Sequence, residues 1–383
     1  MIKFMSVITR TPLFTIVFFS LLLGGCATTN APSGDEDIAA LFYPPLPNPP
    51  RLQYLTSFSG SKDVEKKGGG LEQLITGADT RFKFIEKTYG VNLHDGKIYA
   101  TDIGNSSYVV MDLVNREYKQ VHGKGGGVLR IPANIVIDTD GTKYVTDAGR
   151  MQILQFDRDD KFIRALGYEN QFKPVDVEIH GDRLYVADQK EHDIVVLDKK
   201  TGEELFRFGA DSGDTDDKEK WLFTPTSLEI YNNRLYVVEM NNTRVKEYTL
   251  EGEVIRNIGS VGLSYGQFVR PKGMAIDKDG VMYVVDAGVE KIQLWSLPLD
   301  QPLMAFSEPG PNRGNINLPA DIEINYDDVE HFQQYADPDF ELEYVILVTS
   351  QIGPHKVSIW GFGRLRGMDY PDTEELLERQ RSE

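Results

Sequence analysis

A short sequence phrase occurs six times along this chain of 383 residues. It consists of a proline, an apolar strand, a tight polar turn, and a second strand that ends in Tyr-Val-x-Asp. The copies are Thr88 to Asp102, Pro132 to Asp147, Pro174 to Asp188, Pro225 to Glu239, Pro271 to Asp286 and Pro319 to Ser350. The first copy lacks the proline, and the last lacks the Tyr-Val-x-Asp strand. Self-similarity at this period is typical of repeat architectures, and six copies favour a closed ring.

Further strands follow most copies of the phrase. A polar turn leads to a third apolar strand, such as Ile153 to Asp157, and then to a fourth that often ends in glycine, such as Phe162 to Gly167. Pairs such as Asp95-Gly96 tolerate the positive φ angles of tight hairpins. Four strands in each unit of roughly 40 to 50 residues are typical of propeller blades. The sequence therefore predicts an all-β protein, a six-bladed β-propeller with four-stranded antiparallel blades.

The last repeat is irregular. It contains an acidic and aromatic insertion, Asn325 to Glu343, between its first two strands, and it has no fourth strand. One spare strand, Arg51 to Phe58, precedes all six repeats. Pairing of this N-terminal strand with the last blade would cover an open sheet edge. We therefore predict that strands from both ends of the chain close the ring.

The Tyr-Val-x-Asp strands and their spacing resemble those of the NHL family of six-bladed β-propellers. The resemblance covers about residues 51–367, and it implies the propeller fold. It implies little about function, because the consensus residues of that family mostly build the blade. The acidic residue that ends each Tyr-Val-x-Asp strand follows the repeat, so we interpret it as a cap of the adjacent turn.

The first 25 residues have the organisation of a signal peptide, with basic Lys3 and Arg10 before the apolar run Leu13 to Leu23. This run is short for a membrane span. It leads to Leu23-Gly24-Gly25-Cys26, which resembles the lipobox of bacterial lipoproteins. The resemblance implies cleavage before Cys26 and attachment of lipid to its thiol. The alternative is an ordinary secretory signal followed by a chance cysteine.

These features divide the chain into four parts. They are a lipoprotein signal peptide at 1–25, a lipidated cysteine with a proline-rich tether at 26–50, the propeller at 51–367 and a charged tail at 368–383. By the same resemblance, alanine after the cysteine implies sorting to the outer membrane. We therefore expect a lipid-anchored protein of the cell envelope.

The net charge of −18 excludes a typical nucleic-acid-binding protein, whose surface should be basic. We expect the partners to be envelope proteins, with the membrane reached through the lipid on Cys26. The loop Ala210 to Phe223 is strongly acidic. We predict that this loop meets a basic partner, and that the insertion Asn325 to Glu343 lies on the opposite face of the propeller.

Candidate site residues are those that break the repeat. Two residues after the start of the inner strand, blades two to six carry Asn134, Asp176, Ser227, Gly273 and Asp321. Oxygen ligands that converge at a channel mouth can hold a hard cation, which makes Asn134, Asp176 and Asp321 weak metal candidates. The alternative is that they are solvated residues of the mouth. No cofactor is predicted, and the six histidines are dispersed without a metal-binding or catalytic spacing.

Two functions remain open from the sequence. The first is a non-catalytic, lipid-anchored propeller that binds envelope proteins. The second is a metal-dependent hydrolase or lyase with a site in the central channel, because six-bladed lactonases and related hydrolases use channel metals. Dispersed histidines and the absence of a catalytic motif favour the first.

Overall fold

The computed structural model describes residues 40–65, 82–168, 170–210 and 221–370. The predicted signal peptide, Cys26 and most of the tether lie outside the described residues. So do residues 211–220 of the acidic loop and the tail from residue 371. No helix among the described residues is both long and apolar enough to cross a membrane.

The described chain consists almost entirely of β-strands, with one short helix, α1 (Val329–Phe332), and a few single turns of 3-10 helix. The strands are β1 (Leu41–Tyr43), β2 (Leu52–Phe58), β3 (Thr88–His94), β4 (Lys97–Asp102), β5 (Ser107–Asp112), β6 (Glu117–Val121), β7 (Pro132–Ile137), β8 (Lys143–Asp147), β9 (Gln152–Phe156), β10 (Phe162–Leu166), β11 (Pro174–His180), β12 (Arg183–Asp188), β13 (Asp193–Asp198), β14 (Glu204–Phe208), β15 (Pro225–Tyr231), β16 (Arg234–Glu239), β17 (Arg244–Thr249), β18 (Val254–Ile258), β19 (Ser260–Val261), β20 (Gln267–Phe268), β21 (Pro271–Ile276), β22 (Val281–Asp286), β23 (Lys291–Ser296), β24 (Gln301–Phe306), β25 (Pro319–Asn325), β26 (Phe340–Ser350) and β27 (Val357–Leu365).

Except for β19 and β20, which pair as a separate two-stranded parallel sheet, these strands form six antiparallel sheets arranged as propeller blades, which confirms the predicted fold. Blade I contains β3 to β6, blade II β7 to β10, blade III β11 to β14, blade IV β15 to β18 and blade V β21 to β24. Blade VI has the order β25, β26, β27, β2, β1. The first strand of each blade contacts the first strands of its neighbours, so the six inner strands surround a central channel.

Strands from both ends of the chain close the ring, as predicted. In blade VI, β2 pairs antiparallel with β27, with Leu52 opposite Phe362 and Phe58 opposite Val357. The strand β1 then pairs with β2 and adds a fifth strand from within the segment predicted as a tether. Phe42 explains this addition, because it is buried with its ring 5.5 Å from that of Phe340. The insertion of blade VI joins β25 to β26, also as predicted.

In blades I to V, the acidic residue at the end of the second strand binds two loops. In blade II, Asp147 is fully buried, and its carboxylate accepts the backbone N–H groups of Arg130 and Ile131 at 2.7 and 2.9 Å. The same carboxylate accepts those of Gly149 and Arg150, both at 3.0 Å. It therefore holds the loop that enters the blade as well as the turn that follows the strand. The interpretation of this repeated residue as a structural cap is confirmed.

Candidate functional site

The inner strands place two rings of side chains along the channel wall. Because alternate residues of a strand face the same side, the third and fifth residues of each inner strand point in similar directions. The third residues are Gly90, Asn134, Asp176, Ser227, Gly273 and Asp321. The fifth are Asn92, Val136, Glu178, Glu229, Ala275 and Glu323. The third-residue ring contains every metal candidate predicted from the sequence, and both rings contribute to the channel lining.

The third residues connect neighbouring blades. Asp176 of blade III accepts the backbone N–H of Leu228 in blade IV at 2.7 Å, and Ser227 Oγ accepts that of Met274 in blade V at 3.2 Å. Between blades II and III, Asn134 Nδ2 donates to Asp176 Oδ1. The contacts to Leu228 and Met274 satisfy backbone N–H groups at the channel wall, and the third joins two side chains.

Asp321 makes the equivalent connection where the ring closes. Its Oδ2 accepts the backbone N–H of Val91 in blade I at 3.0 Å. The structure therefore brings Asn134 and Asp176 into direct contact, whereas Asp321 is engaged with a different blade. The described residues include no group of three or more His, Cys, Asp or Glu side chains arranged to hold a metal ion. Metal binding by Asn134, Asp176 and Asp321 stays a prediction.

Glycine occupies the third position at close contacts between neighbouring blades, as Gly273 does between blades V and VI. A Cβ atom on Gly273 would lie 2.6 Å from Cα of Asp321 and 2.8 Å from the backbone oxygen of Ala320. Both contacts are with backbone, which cannot rotate away as a side chain can. The absence of a side chain at this position therefore permits the close contact between blades V and VI.

The glutamates of the second ring are not among the site residues predicted from the sequence. Glu178, Glu229 and Glu323 lie on blades III, IV and VI, each only partly buried against the channel wall. They also break the repeat, since the other blades carry Asn, Val and Ala at this position. The period-two alternation of a strand, applied two residues beyond Asp176 and Asp321, could have identified them.

Protons bind these channel carboxylates more readily than ordinary carboxylates. Burial and the nearby charge of Asp176 raise the pKa of Glu178 to about 8. Burial, followed by repulsion from Glu178 and Glu323, raises the pKa of Glu229 well above its ordinary value. Burial also raises the pKa of Asp321 to about 8 and that of Asp176 to about 6. Such a cluster can hold protons or a cation, because either one reduces the repulsion.

Little space remains between these side chains. The part of the channel bordered by both rings has a volume of about 40 Å³, and the part beyond Glu178 and Glu229 has about 180 Å³. The first volume accommodates only one or a few water molecules. Pockets for drug-sized ligands are usually larger, roughly 300 to 1,000 Å³. A substrate of that size would therefore have to react at a mouth of the channel.

One face of the propeller, which we call the loop face, carries the loops between blades and the loops between second and third strands. The opposite face carries the tight turns. The described loops of the loop face contain eleven basic residues, Lys62, Lys83, Lys87, Lys124, Arg130, Arg150, Lys173, Lys190, Arg270, Arg313 and Lys356. They contain six acidic ones, Asp63, Glu65, Glu86, Glu191, Glu290 and Glu308. Beneath them lie buried carboxylates such as Asp147, hydrogen-bonded to backbone N–H groups.

The opposite face is acidic. Its turns include Asp157-Arg158-Asp159-Asp160-Lys161 in blade II, Asp277-Lys278-Asp279 in blade V and the insertion of blade VI with Asp327, Asp328 and Glu330. The negative charge of the whole chain is therefore unevenly distributed over the described surface. A partner that approaches the described loops of the loop face therefore meets more basic than acidic residues, although the chain as a whole is negative.

Exposed apolar side chains also lie on the loop face. They include Phe84, Tyr168, Val261, Leu263, Tyr265 and Ile352, with Leu263 83% and Tyr168 72% exposed. Val261, Leu263 and Tyr265 belong to one loop between blades IV and V. Single exposed apolar residues are normal, but Val261, Leu263 and Tyr265 concentrate apolar area in one loop, which is typical of a binding surface.

Comparison with known proteins gives weak sequence similarity and a clear similarity of fold. No family model matches the chain. Over 197 residues the chain is 25% identical to a Caenorhabditis elegans protein named as a peptidyl-alpha-hydroxyglycine alpha-amidating lyase, covering 48% of this chain and 53% of that protein. It is 27% identical over 150 residues to NHL repeat-containing protein 2 of Gallus gallus, covering 33% of this chain and 20% of that protein. The chain thus spans about half and a fifth, respectively, of these two relatives.

Among solved structures, a Bacteroides thetaiotaomicron protein of unknown function is similar, with a TM-score of 0.53 and 16% identity. The similarity covers 80% of this chain and 75% of that protein. At such identity the match shows the fold alone. The chain is therefore a six-bladed β-propeller with NHL-repeat-containing relatives of low sequence identity.

Proposed function

We propose that this protein is a lipid-anchored propeller of the cell envelope that acts as a non-catalytic binding module, and that the loop face is its docking surface. The observation that carries the proposal is the combination of exposed apolar and basic residues on that face. Tyr265 and Leu263 supply exposed apolar area in the same loop that ends at the basic Arg270, while acidic residues dominate the opposite face. Interfaces commonly combine aromatic anchors and arginine with a polar rim.

The charge of the described loops on the loop face favours an acidic protein as the partner. Complementary charge mainly accelerates encounter and selects orientation. The acidic segment 211–220 lies outside the described residues, so the basic partner predicted for it stays a prediction. Substitutions distinguish an acidic partner from a basic one. Binding of a basic partner would depend on Asp and Glu of that segment, whereas binding of an acidic partner would depend on Lys and Arg elsewhere on the loop face.

A docking experiment should target Leu263 and Tyr265. Replacement of both by glutamate places charge in the proposed contact area, and we expect the loss of crosslinks to partners that the unmodified protein forms in envelope fractions. The matched control is Leu205→Glu, since Leu205 is 48% exposed on the outer strand of blade III. Crosslinks that survive in the double variant but disappear after deletion of 326–339 would refute docking at the loop face.

The sign of the partner's charge is tested separately. Crosslinking to an acidic partner should weaken when Arg150 and Lys190 are replaced by Gln, and it should depend less on salt in that variant. Replacement of the aspartates at 211, 214, 216 and 217 by Asn should leave it unchanged. The reverse result would support the basic partner instead.

Lipid anchoring rests on Leu23-Gly24-Gly25-Cys26 in the sequence. Cys26→Ser removes the thiol that would carry the lipid. We expect the variant to leave the membrane fraction, and metabolic labelling with a fatty acid to be lost. The control is Thr28→Ala, a change just beyond the motif, which should alter neither fractionation nor labelling. Retention of label or unchanged fractionation in Cys26→Ser would contradict the proposal.

A second candidate function is a lyase or hydrolase reaction at the channel. It is favoured by the relative named as a peptidyl-alpha-hydroxyglycine alpha-amidating lyase and by the carboxylates with raised pKa values at Glu178 and Glu229. We expect any such activity to require a bound metal. Stoichiometric calcium or zinc in purified protein that is lost in Glu229→Gln, with turnover of a peptidyl-alpha-hydroxyglycine, would support it. Absence of both metal and turnover would leave the binding module as the function.

A further inference from the structure

The mouth of the channel on the loop face is surrounded by basic residues. Lys87, Lys173 and Arg270 immediately precede the inner strands of blades I, III and V. Their positions are fixed, because the backbone N–H of each donates to the buried carboxylate that ends the second strand of its own blade, at 2.8 to 2.9 Å. None of these three side chains makes an ion pair within the described part of the chain.

A buried lysine lies near two of them, Lys87 and Arg270. Lys272 is the second residue of β21 and is only 5% exposed. Its backbone oxygen accepts a hydrogen bond from Thr226 Oγ1 at 2.8 Å, and Gly273 follows it at the close contact between blades V and VI. The strand that carries Lys272 is therefore held on both sides.

The ammonium group of Lys272 has an aromatic neighbour, the ring of Tyr89 in blade I. Its Nζ lies 5.1 Å from the centre of that ring. Among the described residues it forms neither a hydrogen bond nor an ion pair. Buried lysines are almost always paired, since an uncompensated buried charge is costly. A cation–π contact offsets only part of that cost.

The electrostatics of the mouth reflect this concentration of positive charge. Burial, together with the charges of Arg270 and Lys87, lowers the pKa of Lys272 to about 8. Burial and the carboxylate of Asp321 raise the pKa of Tyr89 to about 12, while Arg270 acts in the opposite direction. The charges of the mouth and of the channel therefore both act on Tyr89.

We propose that this mouth is a binding site for a phosphate group, with Lys272 as its buried ligand and Lys87 and Arg270 at its rim. Three cations that pair with no carboxylate of the described chain match a doubly charged oxyanion better than a single negative charge. An ammonium, a guanidinium and a phenol hydroxyl are all suitable hydrogen-bond donors to phosphate oxygens. The docking proposed above is tested at other residues, Leu263 and Tyr265, so the two proposals can fail separately.

Titration calorimetry with inorganic phosphate at constant ionic strength tests the site. Lys272→Met retains most of the side-chain volume but removes the charge. We expect phosphate to bind this variant about 10 to 100 times more weakly, since the substitution removes a charge-assisted hydrogen bond. The control is Lys124→Met, which removes one charge from an exposed position of the same face. Its affinity should stay within about twofold of the unmodified protein, because exposed charges at a distance are largely screened.

Two further measurements keep the test decisive. Without phosphate, Lys272→Met should melt no lower than the unmodified protein, because it removes a buried unpaired charge. If this variant fails to fold, Lys272 is structural, and the exposed Arg270→Gln then decides the proposal through its own loss of phosphate affinity. Equal phosphate affinity in the unmodified protein and in both mouth variants, or no measurable binding at all, overturns it.

The phosphate could belong to a soluble monoester or to a lipid headgroup. Flotation with phosphatidylglycerol vesicles, compared with phosphatidylcholine vesicles, distinguishes these sources. If the unmodified protein floats with the anionic vesicles and Lys272→Met does not, the ligand is a lipid headgroup. Phosphate binding without such retention assigns a soluble ligand. Retention that is equal in Lys272→Met and Lys124→Met, without phosphate binding, overturns the site.

Discussion

Removal of the closing strand is the sharpest test of the fold. Deletion of residues 51–58 removes β2 from blade VI and with it the pairing to β27. Leu52, Tyr54, Leu55 and Phe58 are all buried in this strand, none more than 5% exposed. At about 1.5 to 3 kcal/mol for each buried side chain, their loss costs roughly 6 to 12 kcal/mol.

That cost is comparable with the whole stability of a typical protein, about 5 to 15 kcal/mol. The deletion also exposes an edge of β27, which offers unpaired backbone groups to other chains. We therefore expect the variant to be unfolded or aggregated at 25 °C. Size-exclusion chromatography with light scattering and thermal unfolding monitored by circular dichroism provide the measurement.

A point substitution makes the test quantitative. Leu52 is fully buried in the cluster that contains Trp360 and Phe306, so Leu52→Ala should cost about 2 to 5 kcal/mol in chemical unfolding. The control is Leu205→Ala, at an exposed strand position, which should stay within about 0.5 kcal/mol. A deletion variant that remains monomeric and melts like the unmodified protein would refute closure by β2. Equal costs for the two leucines would refute the magnitude.

Three further predictions concern the channel wall and the blades. Burial raises the pKa of Asp321 to about 8. The stabilisation contributed by its protonated carboxyl group is therefore complete below pH 4 and is lost as the pH rises from about 4 to 8. Urea unfolding at several pH values should show this loss of stability, and Asp321→Asn should show a smaller loss. Asp160→Asn removes the carboxylate 3.1 Å from the ammonium of buried Lys143 and should cost about 3 kcal/mol, whereas a cost below about 1 kcal/mol would show that backbone carbonyl oxygens suffice for Lys143. Gly273→Ala should lower the melting temperature because its Cβ would meet the backbone of blade VI, and a crystal structure with unchanged spacing between the blades would contradict that reason.

The repeat and the closing strand were predictable because they depend on short-range rules. Alternation of apolar residues identifies a strand, and pairs such as Asp95-Gly96, with φ angles of 50° and 68°, identify a hairpin. The pattern of four strands in each repeat then determines the blade. Because the last repeat has only three strands, the strand Arg51 to Phe58 can fill the fourth position of its blade. By contrast, the short strand Leu41–Tyr43 was missed, since its place depends on Phe340, far along the chain.

The candidate site was only partly predictable. The sequence by itself determined that Asn134, Asp176 and Asp321 break the repeat near the start of the inner strands, and the same alternation could have added the glutamates. It could not show that Asp321 contacts Val91 or that Lys272 contacts Tyr89. Those contacts exist because ring closure brings blades I, V and VI together around one channel. Sequence spacing determined each blade, whereas the packing of the blades decided which charges of the described chain lie beside one another.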